Sequence, residues 1–330
     1  MTRRTDAFLR WFLSFATLAV ASLLLAGGCG GQSDSPSSPS PTPTPTAAQR
    51  RSTVDQPDDV VGNQVHVMYV LPSDGVDQSF DSDDTLNASM GLAQNWFAGQ
   101  TSNRRVRYDT YRGSLDVTFA RLSRSDAQFL SFGQAIRDAL QADLLAAGFN
   151  DPQKIYAVFY GGGSPRSGVQ IPCGQGGYPI AAIYLACLLE RSDIQSLIPI
   201  HGLPKILGLG MIHEVFHNLG VVPPCAPHYT ASHVSDDPRD IMVTSLSVQL
   251  AVYGDASFLP ILDVGRDDYY EHTHSGCLDM AKSAFLEPTA QVAVPVTGGP
   301  FGVLSMQLGG AGIAASQVVG LTGATSWRRN

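Results

Sequence analysis

The chain has 330 residues, of which 44% are hydrophobic and 15% are charged, which suits a folded domain with terminal extensions. The formal net charge of −8 argues against nucleic acid as a partner, because proteins that bind nucleic acid generally present a basic surface. We therefore expect an acidic globular protein and assume a monomer.

Residues 1–29 are typical of a bacterial export signal. Arginines precede a long apolar run, and the small residues Ala26, Gly27 and Gly28 stand directly before Cys29. This order resembles the lipobox of bacterial lipoproteins, and an ordinary secretory signal with an incidental cysteine is the alternative. We therefore predict an exported protein that a lipid on Cys29 anchors to the outer face of a bacterial membrane, its only membrane contact. If the lipobox is not used, the protein is secreted.

Composition divides the rest of the chain into three parts. Residues 30–60 are rich in Ser, Pro and Thr and predict a disordered tether. Residues 61–288 predict the catalytic domain. Residues 289–330 form a Gly- and Ala-rich tail that is uncharged until its last residues, and no chemistry is apparent there.

Hydrophobic patterning in the domain predicts strands that alternate with helices. Residues 64–72 and 154–163 indicate buried strands, and residues 83–101 and 125–149 indicate amphipathic helices. The Gly- and Pro-rich stretch 161–179 favours a loop. Alternation of this kind predicts an α/β fold with a covered sheet.

The stretch 204–220 predicts a helix that is apolar on most sides and therefore buried. It carries His213, Glu214 and His217 in the pattern H-E-x-x-H. Two histidines one turn apart project from the same helix face and can reach one zinc ion, while the glutamate can serve as a base. Buried core histidines without a metal are the alternative.

The sequence HEVFHNLG, from His213 to Gly220, resembles the start of the metzincin signature, H-E-x-x-H-x-x-G-x-x-H/D followed by a methionine turn. The resemblance implies a zinc protease domain with a mixed sheet, a buried active-site helix and a loop-rich C-terminal half. Pro223 stands where the third ligand normally lies, and proline cannot bind a metal. The chain is more similar to secreted bacterial metzincin-like proteins in which the third histidine comes later, shortly before an acidic segment and the methionine.

Two histidines compete for the place of the third ligand. Gly220 can adopt the left-handed conformation that turns the chain back toward the metal. His233 is favoured because the segment from His233 to Met242 matches the resembling proteins, and His228 is the alternative. Met242 would then be the methionine of the turn beneath the histidines.

Acidic and aromatic residues near Met242 suggest supporting roles. Asp240 is the candidate for orienting a ligating imidazole. A calcium ion could bind to Asp240 together with neighbouring carboxylates, and a solvated acidic turn is equally compatible. Thr244 stands where the family often has a tyrosine, so Tyr269 or Tyr270 could instead stabilise an oxyanion.

Four cysteines follow Cys29, and an oxidising compartment favours disulfides between them. Three pairings exist, and proximity in the sequence favours Cys173 with Cys187 and Cys225 with Cys277. His272 and His274, near the last cysteine, are expected at the surface.

These observations predict a zinc-dependent metalloendopeptidase at the cell surface. Zn²⁺ would be held by His213, His217 and His233, and Glu214 would activate a zinc-bound water for attack on a peptide or protein substrate. Two other classes stay open. One is an inactive binding or envelope protein on the same scaffold, against which the intact Glu214 argues. The other is a zinc hydrolase that cleaves a non-peptide amide.

Overall fold

The computed structural model describes residues 51–244 and 255–287. The predicted signal with Cys29, the tether as far as residue 50 and the tail 289–330 lie outside the described residues. Within the described ranges, no helix has the length and apolarity needed to cross a bilayer.

Strands and helices alternate through the first half of the described chain. Helices α1 to α7 span Thr85–Gln100, Asp126–Leu130, Ile136–Ala146, Leu185–Glu190, Ser192–Gln195, Ile198–His201 and Leu203–Asn218. Strands β1 to β11 span Gln64–Leu71, Arg105–Val106, Thr110–Tyr111, Ser114–Leu115, Val117–Arg121, Lys154–Tyr160, Gly174–Gly177, Ile180–Tyr184, Tyr229–Thr230, His233–Val234 and Leu286–Glu287.

The main sheet has five strands in the order β5-β1-β6-β8-β7. Strands β5, β1, β6 and β8 run parallel, and the edge strand β7 runs antiparallel to β8. Parallel neighbours require crossovers, which the helices supply. The predicted α/β class with a mixed sheet is therefore confirmed.

Strand β1 shows how the sheet separates two hydrophobic cores. Alternate side chains point to opposite faces. Val67 and Tyr69 therefore enter the first core, which packs the sheet against α1 and α7. Met68 and Val70 enter the second core, which packs it against α2 and α3. Both faces are covered, which explains why β1 is buried along its whole length.

Two segments differ from the sequence-based expectation. The helix predicted over 125–149 is divided into α2, a 3₁₀ turn and α3, because Gly133 takes a φ of 54° that an α-helix cannot contain. The stretch predicted as a loop over 161–179 contains β7, because this glycine-rich segment pairs with β8.

Residues 51–59 fall in the predicted tether, yet they pack along β5. The Phe119 N–H donates to the Ser52 carbonyl at 2.8 Å. The guanidinium of Arg51 lies over the Phe119 ring, 4.0 Å from its centroid. The folded part therefore includes the chain from Arg51 onward, earlier than the expected start at residue 61.

The same N-terminal segment completes a buried ionic cluster. The Lys154 ammonium, only 3% exposed, donates to Asp55 and Asp58 at 2.7 Å and to Asp109 at 2.8 Å. The Asp109 carboxylate also accepts from the imidazole of His66 at 2.7 Å. A buried ammonium is stable only when it is paired in this way, so the cluster fixes the segment against the sheet.

Two disulfides lie in the described residues. They join Cys173 to Cys187 and Cys225 to Cys277, the two pairs expected from the sequence. The first connects the residue before β7 to α4. The second links the loop after α7 to the C-terminal segment. Disulfides are typical of exported proteins.

Candidate active site

Helix α7 carries the H-E-x-x-H residues inside the first core. His213 and Glu214 are 7% and 8% exposed, and the Nε2 atoms of His213 and His217 lie 3.2 Å apart. The helix ends before Gly220, whose φ of 76° turns the chain back. The two histidines therefore face one point, as their spacing predicts.

A β-hairpin brings His233 to that point. Strands β9 and β10 are joined by Ala231 and Ser232, which both have positive φ, as a two-residue turn of type I′ requires. The His233 ring centroid lies 5.3 Å from that of His213 and 4.8 Å from that of His217. One ring nitrogen from each of the three histidines lies within 4.8 Å of the others.

Backbone carbonyls fix the tautomers of two of these rings. The Nδ1 of His213 lies 2.7 Å from the Ile241 carbonyl, and the Nδ1 of His233 lies 2.9 Å from the Ala231 carbonyl. Because a carbonyl can only accept, each Nδ1 carries a proton. A neutral ring then has its lone pair on Nε2, the nitrogen available to a metal.

Burial controls the charges of the cluster. It raises the pKa of Glu214 to about 8 and lowers the pKa of His213 to about 4. It also lowers the pKa of His217 and His233. The three imidazoles are therefore neutral at neutral pH, the form that coordinates metals.

His228 takes part in a different cluster. Its side chain is 36% exposed, and its Nδ1 lies 3.0 Å from a carboxylate oxygen of Asp268, with Asp267 and Asp236 nearby. The hydrogen bond to Asp268 raises the pKa of His228. Among the described residues that could hold a metal, His228 groups with Asp267 and Asp268 and not with the three converging histidines.

Asp240 is buried, and its supporting role toward an imidazole stays a prediction. Its carboxylate accepts from the Met242 N–H at 2.7 Å and from the Val264 N–H at 2.9 Å. Burial raises its pKa to about 7 against the opposing effect of these donors. Met242 is buried in the first core, and its carbonyl accepts from Val234 at 3.1 Å.

The carboxylates of the acidic segment have different partners in the structure, and the calcium site stays a prediction. Asp237 pairs with the guanidinium of Arg239, while Asp240 points into the core. Asp236 lies 3.7 Å from the His228 ring instead. Among the described residues, the groups that could hold a metal do not combine these three carboxylates.

Three residues expected in the cleft or at the surface are buried. Tyr269 and Tyr270 have no exposed surface, and Tyr269 donates to Asp240 at 2.7 Å, so the oxyanion role suggested for them is wrong. His272 is 9% exposed, because its ring bonds to the Leu278 carbonyl at 2.8 Å. His274 is exposed as expected, and Thr244 is also exposed.

Sequence reasoning missed the glycine-rich edge strand that packs on the helix beside Glu214. A Cβ atom at Gly174 would lie 2.3 Å from the Glu214 Oε1, and one at Gly176 would lie 2.3 Å from the Glu214 carbonyl oxygen and 2.5 Å from the His217 Cβ. Strand β7 can therefore approach the site only because these two residues have no side chain. The alternation of glycines in GQGG is the signal that was available.

Comparison with known proteins gives structural likenesses only. No family model and no curated protein matches the chain. Three crystal structures of OgpA from Akkermansia muciniphila are similar over part of it. The first, of the wild type, has 14% identity and a TM-score of 0.32 and covers 56% of this chain and 54% of OgpA. The second, also of the wild type, has 15% identity and a TM-score of 0.37 and covers 66% of this chain and 62% of OgpA.

The third structure is of catalytically inactive OgpA in complex with an O-glycopeptide substrate, glycodrosocin. Its identity is 13% and its TM-score 0.33, and it covers 69% of this chain and 68% of OgpA. In the first of the three comparisons, the chain spans about half the length of OgpA. TM-scores of this size do not establish a shared fold, so the metzincin assignment stays a prediction.

The contact between β7 and α7 gives a first testable result. We expect Gly176→Ala to lower the free energy of unfolding by about 1–3 kcal/mol, because its methyl group meets the main chain of a buried helix that cannot move aside. We expect Gly174→Ala to lower it less, because the Glu214 side chain can rotate away, but to reduce any hydrolysis that depends on this carboxylate.

Urea unfolding and peptide hydrolysis measure the two effects. Gly91→Ala is the matched control, because its added methyl group would have nothing within 4 Å. Its free energy of unfolding should equal that of the wild type or be slightly higher. Equal stability of Gly176→Ala and Gly91→Ala would contradict the contact.

Proposed function

We propose that the protein is a zinc-dependent metalloendopeptidase, with His213, His217 and His233 as ligands and Glu214 as the catalytic base. The observation that carries the proposal is the convergence of three neutral imidazoles within 4.8 Å around a partly exposed point on a buried helix. A purely structural cluster would have no use for a buried glutamate next to its first histidine.

The donor set fits zinc. Zinc takes imidazole nitrogens at about 2.0–2.1 Å in tetrahedral geometry, which separates two ligand atoms by about 3.3 Å. The Nε2 atoms of His213 and His217 are 3.2 Å apart. Three protein ligands leave a fourth position for water or substrate, as catalytic zinc sites do.

When bound, zinc would polarise the scissile carbonyl and make a water more acidic. Glu214 would take the proton from the attacking water and then pass it to the leaving amine.

The edge strand supports a peptide as the substrate. Strand β7 is at the end of the sheet order, so its outer backbone groups have no strand partner among the described residues. An extended peptide can add to such an edge through main-chain hydrogen bonds. Gly174 and Gly176 of β7 lie against Glu214 and His217 of α7. A peptide added to the edge of β7 would therefore run past the proposed catalytic residues.

Metal removal tests the proposed function. We expect about one zinc per purified chain and cleavage of unfolded casein, which a zinc chelator stops and added Zn²⁺ restores. Cleavage that continues after complete zinc removal would contradict the mechanism. A zinc-loaded protein that cleaves no member of a diverse peptide library would instead be a binding protein.

We also propose that the protein is exported and lipid-anchored through Cys29, which lies outside the described residues. The sequence before this cysteine and the two disulfides support the proposal. Growth of a bacterial host with radioactive palmitate is expected to label the wild type and not Cys29→Ser. Equal labelling of both would exclude Cys29 as the anchor.

A further inference from the structure

A tyrosine and an aspartate form a buried pair behind the candidate metal site. The Tyr269 hydroxyl donates to the Asp240 carboxylate at 2.7 Å and accepts from the Asp263 N–H at 2.7 Å. Tyr269 and Asp240 are 0% and 1% exposed. The phenol is therefore held on both sides and cannot rotate to another partner without leaving one of them unsatisfied.

The carboxylate that receives this hydrogen bond closes the turn from Asp240 to Met242. The oxygen bonded to Tyr269 also accepts from the Met242 N–H, and the second oxygen accepts from the Val264 N–H. Each Asp240 oxygen thus has a fixed partner, so the turn has little freedom to shift.

The turn from Asp240 to Met242 also holds two of the three histidines. The Ile241 carbonyl accepts from the His213 Nδ1, and the Met242 carbonyl accepts from the Val234 N–H, next to His233. One rigid turn therefore orients a ring on the helix and the hairpin that carries the third ring.

We propose that Tyr269 and Asp240 are positioning residues that hold His213 and His233 in ligand geometry through the turn from Asp240 to Met242. The inference rests on the proposed function, because it concerns the same three histidines. Outer partners of ligating histidines commonly change metal affinity by 10–100-fold. Without the Tyr269 hydroxyl, this Asp240 oxygen would lose one of its hydrogen-bond donors, and the turn would be held less firmly.

Tyr269→Phe tests the proposal against two matched controls. Tyr160→Phe removes a similar buried hydrogen bond, 3.0 Å to Asp126, from the second core. Tyr270→Phe changes an equally buried neighbour for which the structure records no hydrogen bond to Asp240. Zinc affinity is measured by competition with a chromophoric chelator, and ligand geometry by the visible spectrum of the Co²⁺-loaded protein.

We expect Tyr269→Phe to bind zinc about 10–100-fold more weakly, with an altered Co²⁺ spectrum and a lower kcat at unchanged KM. Both controls should keep wild-type zinc affinity and spectrum even where their melting temperature falls. Wild-type affinity and spectrum in folded Tyr269→Phe would overturn the proposal and leave the proposed function intact.

A metal-free measurement separates the two hypotheses. Nitrogen NMR of the histidine rings reports the tautomer of His213, which we expect to be fixed as Nδ1–H in the wild type and mixed in Tyr269→Phe. If wild-type protein binds no zinc, the proposed function fails, and this measurement alone still decides whether the pair positions His213. An unchanged tautomer in Tyr269→Phe contradicts the positioning role.

Discussion

Replacement of Glu214 by glutamine is expected to lower kcat for peptide hydrolysis by about 10²–10⁴-fold while leaving zinc bound. Glutamine keeps the shape and burial of the side chain but cannot take a proton from water. Zinc content should not change, because the proposed ligands are the three histidines. Steady-state kinetics and metal analysis of the same preparation measure both quantities.

The matched control is Glu271→Gln, which makes the same chemical change at an exposed site. Its kcat should equal that of the wild type. Wild-type kcat in Glu214→Gln would remove the base from the mechanism, and loss of zinc in this variant would mean that the carboxylate is itself a ligand.

In metal-free protein, the burial of Glu214 predicts a pH-dependent stability that Glu214→Gln should lack. Burial raises the pKa of Glu214 from 4.5 to about 8 in the folded state, so folding favours the protonated form. The wild type should therefore lose stability as pH rises from about 4.5 to about 8, by about 1.4 kcal/mol for each unit of pKa difference. Glutamine does not titrate and should lack this loss.

Urea unfolding of both metal-free proteins between pH 5 and 9 measures the difference. The histidines are present in both and cancel. The difference in unfolding free energy between the wild type and Glu214→Gln should widen up to about pH 8 and then stay constant. Zinc should reduce this difference, because the cation favours the charged carboxylate. Parallel curves at all pH values would mean that Glu214 is not desolvated.

The helix with its two histidines could be predicted because its signals are local. A spacing of four residues places His213 and His217 on one face of any α-helix, and the apolar residues around them require burial. Strand β1 was equally accessible, since eight consecutive residues from Gln64 to Leu71 are buried and mostly apolar. Neither inference needs a distant partner.

The edge strand could not be predicted from propensity, because glycine is a poor strand former. Gly174 and Gly176 form a strand because they pair with β8 and because the helix surface beneath them leaves no room for a side chain. The tertiary contact therefore decides the local structure.

Other contacts, in the site and elsewhere in the fold, depend on residues that are distant in the sequence or on turns without a clear sequence signal. The turn at Ala231 and Ser232 lacks the Asn-Gly pair that usually marks a type I′ hairpin, so its position had no clear signal. Lys154 and Asp55 form an ion pair across 99 positions. Asp240 was expected to support an imidazole, and its hydrogen bond from Tyr269, a residue suggested for a different task, had no signal in the sequence.

If His233 and not His228 is the third ligand, replacing each of them by alanine should have opposite effects on zinc affinity. We expect His233→Ala to weaken zinc binding by more than about 100-fold, because losing a ligand should cost more than the 10–100-fold typical of outer partners. We expect His228→Ala to bind zinc as the wild type does. His228 is hydrogen-bonded to Asp268 and groups with Asp267 and Asp268, away from the three converging histidines.

Chelator competition on both variants, with unfolding curves of their metal-free forms, measures the contrast. The metal-free forms should be nearly as stable as the wild type, because His233 makes one hydrogen bond within its own hairpin turn and His228 is partly exposed. A zinc loss confined to His228→Ala would transfer the third position to that residue. Full zinc retention by both variants would reduce the site to His213 and His217, and two protein ligands are too few for the catalytic zinc geometry that the mechanism requires.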